Sequence, residues 1–518
     1  MYSTIMSGGL NGLECYLARV EVDCARGLPG FEMVGLLGRE VKEARERIRV
    51  ALKNAGIALP PLRITVNISP ASLHKAGTFY DLPVAVGILV SQGLILQKDV
   101  EDILIVGELG LNGQLRPVRG ILPIVLKARR EGIAGCILPE ENMEEARLVE
   151  GIRLAGVSDL ALLPGLLNGQ TLWKEQQAEK RGREEKTEKG PGMDFGQVSG
   201  QEAAKRAAMA AAAGFHHLLM VGPPGSGKTM IARCIPSILP PLSEEEQLET
   251  AAIYSVAGES AGKLLADRAR PFVAPHHTAS ARALVGGGGV PRPGAVSLAH
   301  LGVLFLDELT EFSGKTLNLL RQPLEEREVR IARSSGTYCY PADFMMVAAM
   351  NPCPCGYYPD RNRCRCAPQQ IRRYLSRISG PILDRMDICT EVDRVEFSEL
   401  MDAGSQTRTD SLRMDSQSMR DKVLEARERQ EKRFRGTQVA HNSRMGREEI
   451  RRYCSLGLEE HRYLEQLFER LGLTARSCHR LLRVARTLAD LEGEERIGKL
   501  QIGEAACYRL AEDKYWKG

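Results

Sequence analysis

The sequence lacks an excess of charge of either sign. Its 70 lysines and arginines nearly balance 66 aspartates and glutamates, which leaves a formal net charge of +4 over 518 residues. The overall charge therefore gives no argument for binding nucleic acid, and any basic surface for such a partner must be local. With 43% hydrophobic and 26% charged residues, the composition is that of a globular protein. The length predicts about three domains.

Long hydrophobic runs are also missing. The most apolar stretch, from Leu82 to Leu96, is interrupted by a polar Ser-Gln-Gly segment and is shorter than the roughly 18–20 residues of a membrane span. The N-terminal sequence MYSTIM shows neither the basic nor the apolar segment of a secretion signal. We therefore expect no membrane association and a cytoplasmic location. There the thirteen cysteines should be reduced thiols, with room for a metal site, rather than disulfides.

The most informative motif is a glycine-rich loop between a predicted buried strand, 217–221, and a helix predicted from 230. The loop reads GPPGSGKT and consists of Gly222, Pro223, Pro224, Gly225, Ser226, Gly227, Lys228 and Thr229. In such a loop, backbone N–H groups cradle phosphate oxygens, the lysine reaches the β- and γ-phosphates, and the threonine hydroxyl holds Mg²⁺. The helix that follows turns its N-terminus towards the phosphates.

A second motif, GVLFLDE at 302–308, predicts a buried strand that ends in two carboxylates. Asp307 would bind Mg²⁺ through water, and Glu308 would polarise the attacking water. The alternative is a chance glycine-rich turn and an unrelated acidic strand end. Because both motifs have the correct flanking elements, we favour a site that binds and hydrolyses ATP with Mg²⁺.

Three further polar residues are candidates for this site. The strand predicted over 345–351 ends in Asn351, which either points at the γ-phosphate or the attacking water, or only starts a turn. Arg385 lies between two acids in an apolar turn, as a local ion pair or as an arginine finger for a neighbouring subunit's nucleotide. Arg476 opens the last long helical region and could reach the γ-phosphate in cis from a lid.

Four clustered cysteines follow the pattern C-x-C-x8-C-x-C, and they are Cys353, Cys355, Cys364 and Cys366. Four thiolates can surround one tetrahedral Zn²⁺, so the cluster predicts a zinc site. Four reduced thiols in a loop are the alternative. Arg361, Arg363 and Arg365 alternate with the cysteines, and they either face phosphates or are solvated.

Two features between the nucleotide motifs remain ambiguous. His276 and His277 are adjacent, so they point to different sides of an extended chain, which disfavours one metal held by both. The four glycines at 286–289 form either a structural turn or a flexible loop tip that enters a central pore.

Changes in composition predict the domain organisation. Residues 1–165 mix β-rich runs with helical stretches, and a charged segment without an apolar period predicts a linker over 166–192. Strands alternate with helices over 193–395, as in a parallel sheet covered on both faces. From 396 to 518 the pattern is helical. The predicted fold class is therefore α/β with a helical C-terminal domain.

Together these residues resemble the magnesium-chelatase-like AAA+ ATPases of the ComM/YifB type. The resemblance covers nearly the whole chain and rests on long strings, among them GLPGF (27–31), VNISPA (66–71), LRQPLE (320–325), NPCPCG (351–356) and RVARTLADL (483–491). One departure is Ala295, where the family pattern has glutamate. It affects the contact expected of one loop and not the assignment to the family.

The resemblance implies roles for three of the candidate residues. It makes Asn351 sensor 1, Arg385 the finger that acts in trans, and Arg476 sensor 2. It further implies an AAA+ core over 193–395, a helical lid over 396–518, and a ring, expected to be a hexamer. The implied activity is a motor that drives branch migration on branched or single-stranded DNA during recombination and uptake of foreign DNA.

The N-terminal domain resembles the Lon protease domain, in the strings GELGLNG (107–113) and ILPEEN (137–142). Lon-type proteolysis needs a serine activated by a lysine. Here the expected serine position is Asp81, and the expected lysine region is Gly120–Ile124, which contains no lysine. We therefore expect a non-proteolytic α+β domain that serves as a DNA-binding or ring-building platform.

Two other functions stay open at this point. One is a magnesium-chelatase motor that acts with partner subunits on a tetrapyrrole, which the Lon-like domain and the lack of a D-x-S-x-S motif disfavour. The other is a protein remodeller without nucleic acid. Stimulation of ATP turnover by DNA would discriminate among them.

Overall fold

A computed structural model describes residues 1–57, 59–168, 193–259, 268–333, 336–394 and 414–516. Most of the predicted 166–192 linker and the start of the predicted lid lie outside these ranges. The predicted domain boundaries therefore stay predictions.

The N-terminal region is a seven-stranded mixed sheet in the order β3-β4-β2-β1-β5-β8-β9. Its strands are β1 (Tyr2–Asn11), β2 (Glu14–Arg26), β3 (Gly30–Val34), β4 (Leu62–Ser69), β5 (Ile103–Ile105), β6 (Glu108–Leu109), β7 (Leu115–Arg116), β8 (Gly135–Pro139) and β9 (Arg153–Val157). Its helices are α1 (Arg39–Asn54), α2 (Asp81–Ser91), α3 (Ile121–Arg130), α4 (Met143–Ala146) and α5 (Leu163–Leu167). β6 and β7 form a separate hairpin.

Helix α2 forms the centre of this region. Every residue from Asp81 to Ser91 is buried, as expected of a segment that is apolar on all faces. At Gly87 a Cβ would lie 2.6 Å from a methyl carbon of Val22, so only glycine lets α2 approach β2 this closely.

The central region contains a second, parallel sheet in the order β11-β14-β17-β10-β18. Its strands, with those of two hairpins (β12–β13 and β15–β16), are β10 (Leu218–Val221), β11 (Phe272–Val273), β12 (Gly286–Gly287), β13 (Arg292–Pro293), β14 (Val303–Leu306), β15 (Glu328–Arg333), β16 (Gly336–Pro341), β17 (Met345–Met350) and β18 (Ile388–Glu391). The helices are α6 (Glu202–Gly214), α7 (Lys228–Ile238), α8 (Glu244–Ala257), α9 (Ala281–Val285), α10 (Ala295–Leu298), α11 (Gly314–Leu319), α12 (Arg321–Glu326), α13 (Pro368–Leu375) and α14 (Gly380–Leu383).

The strands β10, β14 and β17 are buried along their whole length. Their side chains alternate between two apolar cores, one on each face of the sheet. Because the strands are parallel, the residues that follow β10, β14 and β17 meet at one edge. The predicted proximity of the three nucleotide motifs therefore follows from the topology.

The C-terminal region is helical in its described part, as predicted. The helices are α15 (Ser416–Phe434), α16 (Arg447–Tyr453), α17 (Leu458–Arg470), α18 (Ala475–Glu492) and α19 (Lys499–Trp516). α15 and α18 pack against α6, and α19 packs against β18, so these helices share one apolar core with the central sheet. Among the described residues, no helix is long and apolar enough to cross a membrane.

Candidate nucleotide-binding site

The glycine-rich loop joins β10 to α7, as the motif predicts. Gly225 and Gly227 have φ of +75° and +92°, which L-residues rarely adopt. At Gly222 a Cβ would lie 2.1 Å from the carbonyl oxygen of Val392. Three of the loop's glycines are thus required by backbone geometry alone, before any ligand is considered.

Lys228 begins α7 and points back into the loop. Its Nζ donates to the carbonyl oxygens of Gly222 (2.8 Å) and Pro223 (2.7 Å), and lies 3.4 Å from Oδ1 of Asn351. Burial lowers the pKa of the lysine to about 8, although the carboxylate of Asp307 opposes the shift. Phosphate oxygens in the adjoining cavity would favour the charged ammonium.

Oxygen groups suited to Mg²⁺ lie side by side next to this lysine. The hydroxyl of Thr229 donates to Oδ2 of Asp307 at 2.8 Å. Mg²⁺ prefers a few protein oxygens together with water and substrate phosphates. The two residues therefore fit the metal that the motif predicts, with Thr229 as a direct ligand and Asp307 close enough to act through water.

A cavity of about 340 Å³ opens at this edge of the sheet, and it is lined by Lys228, Asp307, Glu308, Glu311, Met350, Asn351, Pro354, Tyr374 and Arg377. The topology thus brings together four of the predicted residues, Lys228, Asp307, Glu308 and Asn351. Sequence reasoning missed Glu311, Tyr374 and Arg377, because nothing in their local sequence marks them.

His277 is a further neighbour that the sequence analysis did not connect to the site. Its Nδ1 lies 3.3 Å from Oε2 of Glu308, and its ring packs edge-on against Phe312. His277 follows β11, the strand next to β14. That position, after a strand parallel to the one bearing the carboxylates, is the signal that could have identified it.

The structure does not bring Arg385 and Arg476 to this cavity. The phosphate loop follows Val221 at the carboxyl end of β10, whereas Arg385 precedes β18, whose Ile388 pairs with Leu218 at the opposite end of the sheet. The side chain of Arg385 is buried and bonded to the carboxylate of Glu325.

Arg476 lies near the same turn. Its Nη2 is 3.9 Å from Oε1 of Glu325. One helical turn later, Arg480 donates to the carbonyl oxygen of Met386 at 2.9 Å, which attaches the start of α18 to this end of the sheet. The structure thus does not show the approach in cis that we expected of Arg476. The physical reason is that α18 starts at the amino end of the strands.

The four clustered cysteines come together beside the nucleotide cavity. The sulfur of Cys353 lies 3.3 Å from that of Cys355 and 3.8 Å from that of Cys364, and all four sulfurs, including Cys366, lie within 4.8 Å of one another. Although burial opposes it, hydrogen bonds from the Tyr357 backbone and the neighbouring thiols lower the pKa of Cys355 to about 6. A cluster of this size fits the donor set of one Zn²⁺.

The arginines between these cysteines have local contacts. Arg361 lies over the ring of Tyr358, with 5.3 Å between the guanidinium carbon and the ring centroid, and Nε of Arg363 lies 3.7 Å from a carboxylate oxygen of Asp360. All three arginines of this loop are exposed.

In the N-terminal region, the position expected for a Lon-type nucleophile holds a buried ion pair. Arg47 donates from Nε (2.8 Å) and Nη2 (2.9 Å) to the two carboxylate oxygens of Asp81, which is 1% exposed. Burial raises the pKa of Asp81 to about 6 against the opposing effect of the arginine. The segment Gly120–Ile124 is buried at the start of α3.

Comparison with known proteins agrees with this architecture. Three family models match, described as magnesium chelatase subunit ChlI (residues 194–400), subunit ChlI of Mg-chelatase (20–142) and magnesium chelatase subunit ChlI, C-terminal (413–509). Competence protein ComM of Haemophilus influenzae is 42% identical over 508 residues, which cover 96% of this chain and 95% of that protein. The chain belongs to the magnesium-chelatase-like ComM/YifB family.

Other relatives support the same conclusion. YifB of Escherichia coli is 42% identical over 95% of this chain and 93% of that protein. Lon protease 2 of Bacillus subtilis is 29% identical over 195 residues, 33% of this chain and 35% of that protein. The predicted family and fold class are confirmed: a Lon-like α+β region, an AAA+ parallel-sheet core and a helical C-terminal region. As a ComM/YifB-type protein, the chain is an ATPase motor that uses ATP and Mg²⁺, and its family supports an oligomeric assembly.

Proposed function

We propose that this protein is a ring-forming motor that couples ATP hydrolysis to movement on DNA, with branch migration in recombination or natural transformation as its task in the cytoplasm. The main support for an ATP-driven motor is that Lys228, Asp307, Glu308 and Asn351 line one and the same cavity. The link to DNA is supported by 42% identity, over nearly the whole chain, to a protein named for competence.

Each residue of the cavity has a distinct part in the proposed reaction. Lys228 and the loop N–H groups hold the phosphates, and Thr229 with Asp307 would hold Mg²⁺, which supplies neutralisation of phosphate charge. Glu308 orients and polarises the attacking water, while Asn351, in contact with Lys228, faces the γ-phosphate. His277 holds the carboxylate of Glu308 in one orientation.

The ring is supported by the place of the two arginines. An arginine stabilises the transition state of phosphoryl transfer only when it reaches the transferred phosphate. Arg385 and Arg476 lie together at the end of the sheet opposite to their own nucleotide cavity. We infer that both complete a neighbour's site, and a closed ring, which we propose to be a hexamer, would give every cavity such a pair.

Two surfaces offer local positive charge for DNA. One is the exposed set Arg361, Arg363 and Arg365. The other lies beside the glycine-rich β12–β13 hairpin, where Arg282 and Arg292 line a second cavity. Among the described residues, neither of these two arginines forms an ion pair. Burial and the neighbouring charges of Arg119 and Arg282 lower the pKa of Arg292, so an anionic ligand would relieve repulsion there.

The decisive experiment compares ATP turnover without DNA and with single-stranded DNA, duplex and a four-way junction, followed by a junction branch-migration assay. We expect DNA to stimulate turnover and ATP to drive junction movement. Lys228→Ala should abolish ATP binding, and Glu308→Gln should retain binding but stop turnover. Equal ATP affinity in wild type and Lys228→Ala would refute the nucleotide site.

The family description favours one alternative function, a magnesium-chelatase-type motor. If no DNA structure changes the rate of ATP turnover, this alternative or a DNA-independent protein remodeller would be favoured. Stimulation by a protein substrate alone would favour the remodeller.

We also propose that the cysteine cluster binds one Zn²⁺. Metal analysis of protein purified without chelator should give near one zinc per chain, and the Cys353→Ser/Cys355→Ser variant should lose it.

A further inference from the structure

The cysteine loop lies directly against the phosphate loop. A Cβ built on Gly356 would lie 2.4 Å from Cδ and 3.3 Å from Cγ of Pro224. Pro354, between two of the cysteines, lines the same cavity as Lys228 and Asn351. On the strand side, the N–H of Gly222 donates to the carbonyl oxygen of Met350 at 3.2 Å. The chain from Met350 to Gly356 thus borders the phosphate loop, with Gly356 against Pro224.

The bordering segment is held by backbone hydrogen bonds, by packing and by its thiols. Gly356 donates its N–H to the carbonyl oxygen of Cys353 at 3.0 Å, and Tyr358 donates its N–H to the sulfur of Cys353 at 3.4 Å. Cys353 is also buried in an apolar core, against which Cys355 and Tyr358 pack. The thiols of Cys353 and Cys355 meet those of Cys364 and Cys366, which lie just before α13.

The sulfur positions match a metal-bound arrangement. A tetrahedral Zn²⁺ with Zn–S bonds of about 2.3 Å requires sulfurs about 3.8 Å apart. The sulfurs of Cys353 and Cys364 and those of Cys355 and Cys364 lie 3.8 Å and 3.6 Å apart, and those of Cys353 and Cys355 are closer, at 3.3 Å. One ion held by these sulfurs would close the loop 353–366 at its base.

We propose that a metal ion held by these four thiolates braces the phosphate loop, so that metal occupancy sets the affinity of the motor for ATP. Metal binding makes one rigid unit of Cys353, Cys355 and the turn at Gly356. Through the contact with Pro224, this unit holds the phosphate loop in its binding conformation. Release of the metal frees the turn, and ordering the phosphate loop around ATP then costs conformational entropy. This inference rests on the proposed nucleotide and zinc sites.

The first test changes the contact and leaves the thiols in place. Gly356→Ala puts a methyl group against Pro224 at a position with φ of +85°. The matched control is Gly436→Ala, which has a similar φ of +79° but open space around its Cβ. We expect both variants to retain zinc, and only Gly356→Ala to bind a fluorescent ATP analogue more weakly, by about tenfold. Equal ATP affinity of the two variants would contradict the proposal that the cysteine loop holds the phosphate loop in its binding conformation.

The second test removes the metal from the full-length protein. ATP-analogue affinity is measured as purified, after chelation, and after addition of Zn²⁺ alone, with circular dichroism as a check on folding. We expect chelation to weaken binding and Zn²⁺ to restore it. Cys353→Ser/Cys355→Ser should match the chelated protein, whereas the control Cys339→Ser/Cys507→Ser, which changes two exposed thiols elsewhere, should match wild type.

The outcomes separate this inference from the proposed function. If the purified protein carries no metal, or if folded metal-free protein binds ATP with unchanged affinity, the proposed effect of the metal is wrong. Neither result would contradict the proposed motor function. If Cys353→Ser/Cys355→Ser does not fold, the chelation series and Gly356→Ala still decide. Loss of DNA stimulation would count against the DNA motor alone, because the readout here is ATP binding without DNA.

Discussion

The side chains around Lys228 show how one buried residue is adjusted for a charged ligand. Its ammonium contacts carbonyl oxygens of its own loop and the amide of Asn351, all of them neutral groups. The nearby carboxylate of Asp307 offsets the effect of burial only in part. Binding a triphosphate therefore changes the protonation equilibrium of this lysine, and ATP affinity should depend on pH.

The sign of that dependence follows from the pKa. The pKa of Lys228 is lowered to about 8, and phosphate raises it, so the bound form holds the proton more tightly. ATP affinity should be highest below about pH 8, where Lys228 is already protonated. It should fall as the pH rises above that value, because binding then requires proton uptake. Titration of a fluorescent ATP analogue at several pH values measures this. Lys228→Arg is the control: its guanidinium stays charged, so its ATP affinity should not change with pH over this range.

The contact of His277 with Glu308 leads to a second prediction at this scale. His277→Ala should lower kcat by about tenfold or more, because the carboxylate that orients water loses its restraint, while ATP affinity stays unchanged. His276→Ala is the control, since His276 is exposed and its side chain contacts the nearby Thr278. Its ring lies 4.1 Å from that of His277, so this variant removes a ring neighbour of His277 but leaves the contact of His277 with Glu308 in place. Steady-state turnover with an ATP-binding measurement separates the two. Equal kcat in both variants would remove His277 from the site.

At the scale of elements, the N-terminal region shows the difference between a buried and an exposed ion pair. Helix α1 carries Arg47, paired with buried Asp81 at the start of α2, and Arg39, paired with Glu43 on its own exposed face. Removing Arg47 leaves the buried carboxylate of Asp81 without its partner and without access to water, whereas the carboxylate of Glu43 is already solvated. The first pair therefore holds two helices together, and the second does not.

Arg47→Ala should thus destabilise the N-terminal region by about 3–5 kcal/mol. Arg39→Ala should change the stability little, because water solvates both members of its exposed pair. Urea unfolding of both variants, followed by circular dichroism, measures the difference. Similar midpoints would mean that Asp81 is protonated and neutral when its partner is removed.

The arrangement of α14, α18 and β18 also predicts how subunits cooperate. Arg385→Ala should keep ATP binding but lower turnover by roughly 10³-fold, as for other arginine fingers. Mixing Arg385→Ala with Glu308→Gln subunits should restore some turnover, because one interface of the hybrid pairs an intact finger with an intact Glu308. Coupled-enzyme ATPase assays of the mixtures test this. Mixtures no more active than their components would argue against a site shared between subunits.

At the scale of the whole molecule, the near balance of charge means that DNA binding must depend on local groups. Binding should weaken steeply with salt as phosphate contacts release counterions. Arg361, Arg363 and Arg365 form one candidate surface, and Arg282 with Arg292 forms the other.

A double variant, Arg282→Ala/Arg292→Ala, and the triple variant of the cysteine-loop arginines should each reduce the salt slope if their surface contacts phosphates. Fluorescence anisotropy with labelled DNA over a salt series measures the slopes. A slope unchanged in both variants would place the DNA on a third surface, and binding indifferent to salt would contradict the proposed DNA contact.

Much of the fold and part of the candidate site follow from local sequence. The phosphate loop, the strand before Asp307 and the helical C-terminus are contiguous patterns, in which neighbouring residues determine backbone conformation, and the structure shows all three. Parallel pairing then places Asn351 near Lys228 without further information. The family was also recognisable, because its strings are long.

Only the tertiary structure decided which distant residues meet. The contact of His277 with Glu308, the pair Arg47–Asp81, and the common place of Arg385 and Arg476 join residues that lie 31, 34 and 91 positions apart. The packing of Gly356 on Pro224 is of the same kind. Such contacts depend on strand order and on where helices begin over the sheet, and no local pattern encodes these. The sequence by itself therefore determined the chemistry at each strand end, and the topology decided which of these groups share a site.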